Sequence, residues 1–350
     1  MTPAAAPPLS VLDLAIVAEG AGPAEALCNS VELARVVERL GYRRHWVAEH
    51  HNMPGIASSA PAVLTAELAA ATSTLRVGSG GVMLPNHAPL VVAEQFGTLV
   101  SLHPGRIDLG IGRAPGTDQI TASALRRSAD ALSVEDFPQQ LGELLGFFDG
   151  DLFPEGHPYR SITAVPGAGV RPEVWLLGSS DYSAQAAGAL GLPFSFAHHF
   201  SPRNTVAAMQ IYHDSFQPSR WLDEPHSMVA AAAICAPDDE RARFLAGPAR
   251  LSFARLRQGR PTRMPTPEEA AAHKFSAQEE AAVKTVSGSA VIGGPEKVRE
   301  GLLELAERTG ADELMLTTMV HAQSDRLRSY ELIAEVMGLE APAPAETAMA

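Results

Sequence analysis

The chain has 350 residues, 46% of them hydrophobic, and a formal net charge of −13. This length and apolar content suffice for one large hydrophobic core, although length alone also leaves two domains open. The acidic balance argues against nucleic acid or an anionic membrane surface as a partner, because like charges repel.

Two cysteines, Cys28 and Cys235, stand far apart in apolar surroundings, so they form neither a disulfide framework nor a metal-binding spacing. Their scarcity predicts a reducing, cytoplasmic compartment. The N-terminus lacks the basic and apolar regions of a signal peptide. Residues 1–8 and 341–350 are rich in alanine and proline, which predicts disordered tails around a single domain at 9–340.

One local pattern recurs along the chain: an amphipathic helix, then a glycine, then an apolar strand. From Leu33 to Leu40 the apolar residues are spaced i, i+3, i+4, i+7, which places them on one helix face. Gly41 follows as a left-handed stop, and residues 44–48 then predict a strand. The same order returns around Gly310. Helices that alternate with strands indicate a parallel α/β architecture.

Eight segments have the composition of strands, which is the number that closes a (β/α)8 TIM barrel; a doubly wound open sheet is the alternative. They are residues 9–15, 44–48, 75–82, 106–111, 174–177, 194–197, 228–234 and 313–318. Insertions are expected after strand four, at 149–172, and after strand seven, at 236–295. Within the second insertion, residues 258–288 are polar and interrupted by proline, which is typical of a loop that acts as a lid.

The end of the second predicted strand carries Glu49, His50 and His51. Catalytic side chains of parallel barrels lie at these carboxyl ends, and histidine exchanges protons near neutral pH. Two other interpretations stay open. One histidine could close a turn while the other packs, or the pair could bind a metal, which would need a third ligand.

The next two strand ends are rich in glycine. Gly78, Gly80 and Gly81 do not suit a relaxed strand, so the backbone either bulges there or lies against a flat ligand. After strand four, Arg113 follows a G-x-G pair whose spacing differs from the dinucleotide-binding fingerprint. Its guanidinium could bind a phosphate, or it could be a surface arginine on a turn.

The fifth strand ends in a cluster of serines at the start of an alanine-rich helix: Ser179, Ser180 and Ser183. Such hydroxyls cap helices, and with the helix amides they also form anion sites. Taken together, the four strand ends predict a site for a planar ligand that carries a phosphate.

At this point the sequence resembles the luciferase-like flavin monooxygenases, from residue 9 to residue 337. The resemblance rests on W-x-x-E-H-H, V-G-x-G-G-x-x-L-P, G-R-x-x-x-G-I-G-R and L-G-S-S-x-x-S-A, in that order. It favours the single-subunit, non-luminescent branch, because Gly112 stands where light-emitting subunits carry a reactive cysteine.

The resemblance implies FMN as cofactor. Arg113 would hold the FMN phosphate, and further contacts would come from Ser179, Ser180 and Ser183. A non-proline cis peptide, here Gly80–Gly81, would lie under the flavin ring. Deazaflavin-dependent relatives usually carry Asp-His after strand two, so the Glu-His-His of this chain favours FMN; a deazaflavin coenzyme stays the alternative.

The resemblance also assigns the catalytic role to His50, near the reactive C4a position of the flavin. Reduced FMN would react with O2 to give a C4a-peroxyflavin, which would hydroxylate an organic substrate or oxidise it in the Baeyer–Villiger manner. No nicotinamide fingerprint is present, so a separate flavin reductase is expected to supply reduced FMN. We further expect a homodimer, and a substrate pocket that includes His51, His198 and His199.

Two other classes of protein compete with this interpretation. A metal-dependent barrel hydrolase would also use histidines at strand ends, but it should carry carboxylates at several others, where this chain has Gly, Ser and Arg. A noncatalytic flavin-binding protein would not need His50.

Overall fold

The computed structural model describes residues 6–126 and 136–341, so most of the predicted tails lies outside the described residues. The strands are β1 (Leu9–Asp13), β2 (Arg44–Val47), β3 (Arg76–Met83), β4 (Ile107–Gly112), β5 (Glu173–Gly178), β6 (Phe194–Ala197), β7 (Ser227–Cys235), β8 (Val291–Gly293) and β9 (Glu313–Thr317). The helices are α1 (Pro23–Arg39), α2 (Pro61–Ala71), α3 (Pro89–Leu102), α4 (Gln119–Arg126), α5 (Phe137–Phe148), α6 (Asp181–Leu190), α7 (Thr205–Ser215), α8 (Asp239–Arg257), α9 (Pro267–Ala272), α10 (Ala277–Ser287), α11 (Pro295–Thr309) and α12 (Gln323–Met337).

The strands pair in parallel in the order β6-β5-β4-β3-β2-β1-β9-β7-β8, and an additional pairing joins β6 to β7. That pairing runs in register from Phe194 opposite Ser227 to Ala197 opposite Ala230. It closes eight of the strands into a ring with the helices outside, because each crossover returns over the outer face of the sheet. The predicted (β/α)8 barrel is therefore confirmed, and the open sheet is excluded.

Strand β8 was not predicted from the sequence. It has three residues and pairs only with the carboxyl end of β7, from Ala233 opposite Val291 to Cys235 opposite Gly293. Three residues are too few to show an alternation of apolar and polar side chains, so β8 is recognised as a strand only by its pairing with β7. It stands outside the ring and leaves the predicted barrel count unchanged.

Glycines end several helices in the predicted way. Gly41, Gly191 and Gly310 have φ values of +85°, +61° and +64°, a left-handed conformation that costs other residues energy. In each case the next strand begins within a few residues. Among the described residues, none of the helices combines the length and apolar character needed to cross a bilayer.

The two predicted insertions have more structure than expected. In the first, Phe153 and Ala164 are buried in the main core. In the second, residues 258–288 include helices α9 and α10, so the expectation of a long polar loop was wrong. The alanines and the acidic first turns of these helices stabilise them, and the Thr266 side chain caps α9 by accepting from the Glu269 amide.

The barrel interior is layered from the amino to the carboxyl ends of the strands. At the amino ends, buried Arg44 donates to Asp108 (2.9 Å) and to Glu313 (2.8 Å), so these buried charges are paired. Trp46, two residues further along β2, donates its Nε1–H to Asp108 (2.8 Å) and packs edge-on against Trp175 with ring centroids 5.4 Å apart. The ion pairs of Arg44 and the two tryptophans fill the barrel interior at the amino ends of the strands, and the cavity lies at the carboxyl ends.

Candidate active site

One cavity opens at the carboxyl ends of the strands, and it collects most of the side chains predicted from the sequence. Its lining includes His50, Gly80, Arg113, Ser179, Ser180, Ser183 and His199. These residues come from the ends of five different strands, so barrel closure brings them together. The remaining lining is largely apolar and includes Leu12, Leu14, Trp46, Leu177, Phe200 and Met315.

Three residues of the predicted site do not line this cavity. Gly81 lies next to it and forms a cis peptide with Gly80, as the resemblance implied. His51 donates its Nε2–H to Glu49 (2.9 Å). His198 is 3% exposed and its Nδ1 bonds the Thr205 hydroxyl (2.7 Å). The structure therefore gives these two histidines partners within the protein.

Gly80 brings backbone to the wall of the cavity, and Gly81 and Gly110 pack beside it. A Cβ on Gly80 would lie 2.7 Å from Leu12 Cδ1, and one on Gly81 would lie 2.6 Å from the Gly110 carbonyl oxygen. A Cβ on Gly110 would lie 2.3 Å from the Ser79 carbonyl oxygen. Larger residues would collide with backbone at two of these positions. Glycine is therefore needed for β3 and β4 to pack this closely, and Gly80 presents its backbone to the cavity.

The other end of the cavity is suited to an anion. Ser180 is the N-cap of α6 in an extended conformation (φ −147°, ψ 166°), yet its side chain does not cap the helix. The first-turn amides of α6 and the neighbouring serine hydroxyls can therefore donate to a ligand. A Cβ on Gly178 would lie 2.4 Å from Ser183 Cβ, so glycine is needed for β5 to approach the helix this closely.

Arg113 supplies the positive charge beside this helix start. Its guanidinium carbon lies 4.3 Å from the ring centroid of Tyr182, in the first turn of α6. Within residues 6–126 and 136–341, no carboxylate lies within ion-pair distance of Arg113. A guanidinium held by stacking rather than by an acid keeps its hydrogen-bond donors available to a phosphate.

His50 is oriented by the backbone. Its Nδ1 lies 3.2 Å from the Gly116 carbonyl oxygen, and because a carbonyl only accepts, Nδ1 carries the proton in this bond. The ring then presents Nε2 as an acceptor. Burial lowers the pKa of His50, against opposing effects of the Gly116 bond and the Glu49 charge. A neutral imidazole with a free lone pair is thus available at neutral pH.

His199 repeats this arrangement on another strand end. Its Nδ1 donates to the Ala230 carbonyl oxygen (2.9 Å). Burial, with smaller contributions from His198 and His50, lowers its pKa from 6.5 to about 4. The cavity therefore has two neutral imidazoles, each with Nδ1–H bound to backbone.

We expect His199 to destabilise the fold as the pH falls. Because its pKa is depressed from 6.5 to about 4 in the folded state, the unfolded chain binds the additional proton in this window, and stability decreases from pH 6.5 to pH 4. At ~1.4 kcal/mol per pKa unit, the free energy of unfolding should fall by about 2–3 kcal/mol more in the wild type than in His199→Gln. Denaturant unfolding at both ends of the window measures this difference, and equal losses in the two proteins would contradict it.

Sequence reasoning missed two features of the candidate site. The apolar wall could have been found from strand alternation, because Leu12 and Leu14 project to the same face of β1 and its continuation. The stacking of Tyr182 on Arg113 joins residues from two different strand ends, and no local pattern indicates it. Among the described residues, no group of three His, Cys, Asp or Glu side chains is arranged to hold a metal ion.

The fold and the cavity define a (β/α)8-barrel protein with its candidate site at the carboxyl ends of the strands. A model of the family described as luciferase-like monooxygenase matches residues 9–313. The chain belongs to this family.

Three relatives cover nearly the whole chain. The uncharacterized protein YvbT of Bacillus subtilis (strain 168) is 50% identical over 328 residues, 94% of this chain and 96% of that protein. A protein named luciferase-like monooxygenase from Escherichia coli (strain K12) is 46% identical over 327 residues, 93% of this chain and 96% of that protein. The N-acetyl-S-alkylcysteine monooxygenase of Bacillus subtilis (strain 168) is 34% identical over 331 residues, 94% of this chain and 98% of that protein.

Solved structures agree with the barrel. Apo-MsnO8 superposes with a TM-score of 0.85 at 40% identity, over 95% of this chain and 99% of that chain. At 18% identity, the oxygenating constituent of 3,6-diketocamphane monooxygenase from Pseudomonas putida, a type II Baeyer–Villiger monooxygenase in complex with FMN, has a TM-score of 0.71 over 97% and 100% of the two chains. An F420-dependent secondary alcohol dehydrogenase has a TM-score of 0.68 at 14% identity, over 95% and 99%. The last two show a shared fold alone.

Proposed function

We propose that this chain is a monooxygenase that uses reduced FMN and O2 to oxidise a small organic substrate. Membership of the luciferase-like monooxygenase family supports the reaction class. The observation that carries the proposal is the gathering of Arg113, the uncapped start of α6, the Gly80 backbone and His50 around one cavity. The anion site suits the phosphate of FMN, the Gly80 backbone suits its planar ring system, and the neutral imidazole of His50 suits the proton transfers of the reaction.

The described residues fit FMN in two places. Its phosphate would bind the first-turn amides of α6 together with Ser180, Ser183 and the Arg113 guanidinium. Its ring system would lie against the Gly80 backbone, between the apolar side chains of Leu12 and Leu177 that also line the cavity. When bound, reduced FMN supplies the electrons that activate O2.

The protein contributes the proton transfer and a dry environment. His50 Nε2, left free because Nδ1 is bound to Gly116, would accept a proton from the substrate or return one to oxygen. The apolar wall around Leu12, Leu14 and Met315 would exclude water from the reacting groups. Both a hydroxylation and a Baeyer–Villiger oxidation are compatible with this arrangement.

Binding and oxygen transfer test the proposal separately. We would titrate the purified protein with FMN and, in parallel, with the deazaflavin F420, to decide between the two cofactors. We would then supply FMN, NADH and a separate flavin reductase under ¹⁸O2 with a panel of thioethers, ketones and aromatic compounds. Tight FMN binding and one labelled oxygen atom in a product support the proposal. If the protein binds F420 and has no affinity for FMN, the proposed cofactor is F420 instead of FMN. The absence of any labelled product would contradict monooxygenation.

We expect residues 258–288 to close over the cavity when ligand binds. The stretch just before α9 already contacts the loop between β1 and α1, since the Met264 amide donates to the Val17 carbonyl (2.9 Å) and the Glu19 amide donates to the Met264 carbonyl (2.8 Å). Hydrogen exchange across 258–288 should therefore slow when FMN is added. Helix α11 serves as the control segment. Identical exchange with and without FMN would count against a lid.

A further inference from the structure

The buried carboxylate of Glu49 connects two strand ends beside the cavity. Its side chain is fully buried. It accepts hydrogen bonds from His51 Nε2 (2.9 Å) and His87 Nε2 (3.0 Å), from the Met83 amide (2.9 Å), and from Asn86 Nδ2 (3.1 Å). His51 follows β2, whereas the other three donors lie at or just after the end of β3. The Glu49 carboxylate thus links the carboxyl end of β2 to the carboxyl end of β3 by hydrogen bonds.

The same cluster reaches the fourth strand end and, through it, His50. Asn86 Nδ2 also donates to the Pro115 carbonyl (3.0 Å), and the neighbouring Gly116 carbonyl is the partner of His50 Nδ1 (3.2 Å). Gly116 has φ +66°, and a Cβ there would lie 2.7 Å from the Glu49 carbonyl oxygen. The turn that carries the Gly116 carbonyl is therefore packed against the Glu49 backbone, and Asn86 joins it to the Glu49 carboxylate.

The carboxylate is ionised in this setting. Burial favours its neutral form, but the hydrogen bonds from His87 and His51 and the Met83 amide outweigh burial and hold the pKa of Glu49 below its ordinary value. Each histidine must then carry a proton on Nε2 to donate to the carboxylate. Loss of that charge would leave several donors without an acceptor.

We infer that Glu49 is a positioning residue for His50: through Asn86 and the Pro115–Gly116 turn it fixes the orientation of the His50 ring and keeps its proton on Nδ1. This inference rests on the proposed function only for the use of His50 in turnover. The orientation of the ring itself can be measured without any flavin.

The test compares Glu49→Gln with Glu38→Gln. Glutamine at 49 replaces one carboxylate oxygen, an acceptor, by an NH2 group, a donor. That group would face the donors of the cluster, among them Asn86, so we expect the Pro115–Gly116 turn to lose part of its support. Glu38 is a matched control, because it also accepts several bonds, from the amides of Ser73, Thr74 and Leu75, but before β3, at the opposite end of the barrel from the cavity. Both variants should lower thermal stability; only Glu49→Gln should affect His50.

The decisive readout is nitrogen-15 NMR of histidine-labelled protein, with the His50 signals assigned by their loss in His50→Ala. In the wild type and in Glu38→Gln, His50 should show a protonated Nδ1 and an unprotonated Nε2. In Glu49→Gln the two signals should move toward each other as the tautomers mix. Turnover in the reductase-coupled assay should fall about tenfold or more, because small misplacements of catalytic groups are costly, while FMN affinity stays within about twofold of the wild-type value.

Unchanged His50 signals in a folded Glu49→Gln protein would overturn the inference and leave Glu49 a purely structural residue. If Glu49→Gln does not fold, Asn86→Ala removes the bridge to the Pro115 carbonyl and leaves the carboxylate in place, and the same shift of the His50 signals is then required in that variant. If the wild type binds no FMN but Glu49→Gln still shows the shift of the His50 signals, the proposed function is refuted while the positioning role is supported.

Discussion

His50→Ala should lower turnover by about 10²–10⁴, the usual contribution of general acid–base catalysis, while the fold and FMN binding stay intact. The ring lines the cavity, and its Nε2 is left free by the bond from Nδ1 to Gly116. Removing the imidazole takes away the proton acceptor to which we assign the reaction, while the second neutral imidazole of the cavity, His199, stays in place. The reductase-coupled assay, run beside an FMN titration, measures both quantities.

His51→Ala is the natural control, because the neighbouring ring donates to Glu49 and does not line the cavity. We expect that variant to lose stability, because the buried Glu49 carboxylate loses one of its donors, and to keep more of its turnover than His50→Ala. Normal turnover in His50→Ala combined with inactive His51→Ala would mean that the two roles are reversed. If neither substitution affects turnover, the end of β2 is structural and the catalytic assignment fails.

Arg113→Ala should weaken FMN binding by at least tenfold. A hydrogen bond to a charged group contributes roughly 1.5–3 kcal/mol, and ~1.4 kcal/mol corresponds to a factor of ten in affinity. The guanidinium is stacked on Tyr182 beside the uncapped start of α6, so the alanine variant leaves the amides in place and removes the fork. Titration of the protein with FMN, followed by flavin fluorescence, measures the change.

Two further variants test the geometry of this contact. Arg113→Lys keeps the charge but loses the two-pronged fork, so its affinity should lie between those of the wild type and Arg113→Ala. Tyr182→Phe keeps the aromatic face and should bind FMN as the wild type does, whereas Tyr182→Ala should weaken binding. If FMN affinity is unchanged in Arg113→Ala, the phosphate binds in another part of the cavity and the assignment to Arg113 is wrong.

The sequence by itself determined the features that depend on local chemistry. The helix–glycine–strand units follow from apolar spacing and from the left-handed conformation that Gly41 and Gly310 adopt. Because parallel strands of a barrel all end on one face, His50, Arg113 and the serines before α6 could be assigned to one site without coordinates. The position of His51 follows the same local rule, because adjacent side chains on an extended chain point in opposite directions. We therefore expect His51 either to pack or to bond Glu49, and the structure shows the bond to Glu49 (2.9 Å).

Only the tertiary structure decided how distant segments meet. The closing register of β6 on β7, the three-residue β8 and the stacking of Tyr182 on Arg113 each join parts of the chain that no local pattern connects. Helices α9 and α10 formed where proline and polar residues had indicated a loop, because their alanines, their acidic first turns and the Thr266 cap favour helix within those segments. The connection from Glu49 through Asn86 to Gly116 spans three strand ends, and it exists because closure of the barrel brings their loops side by side.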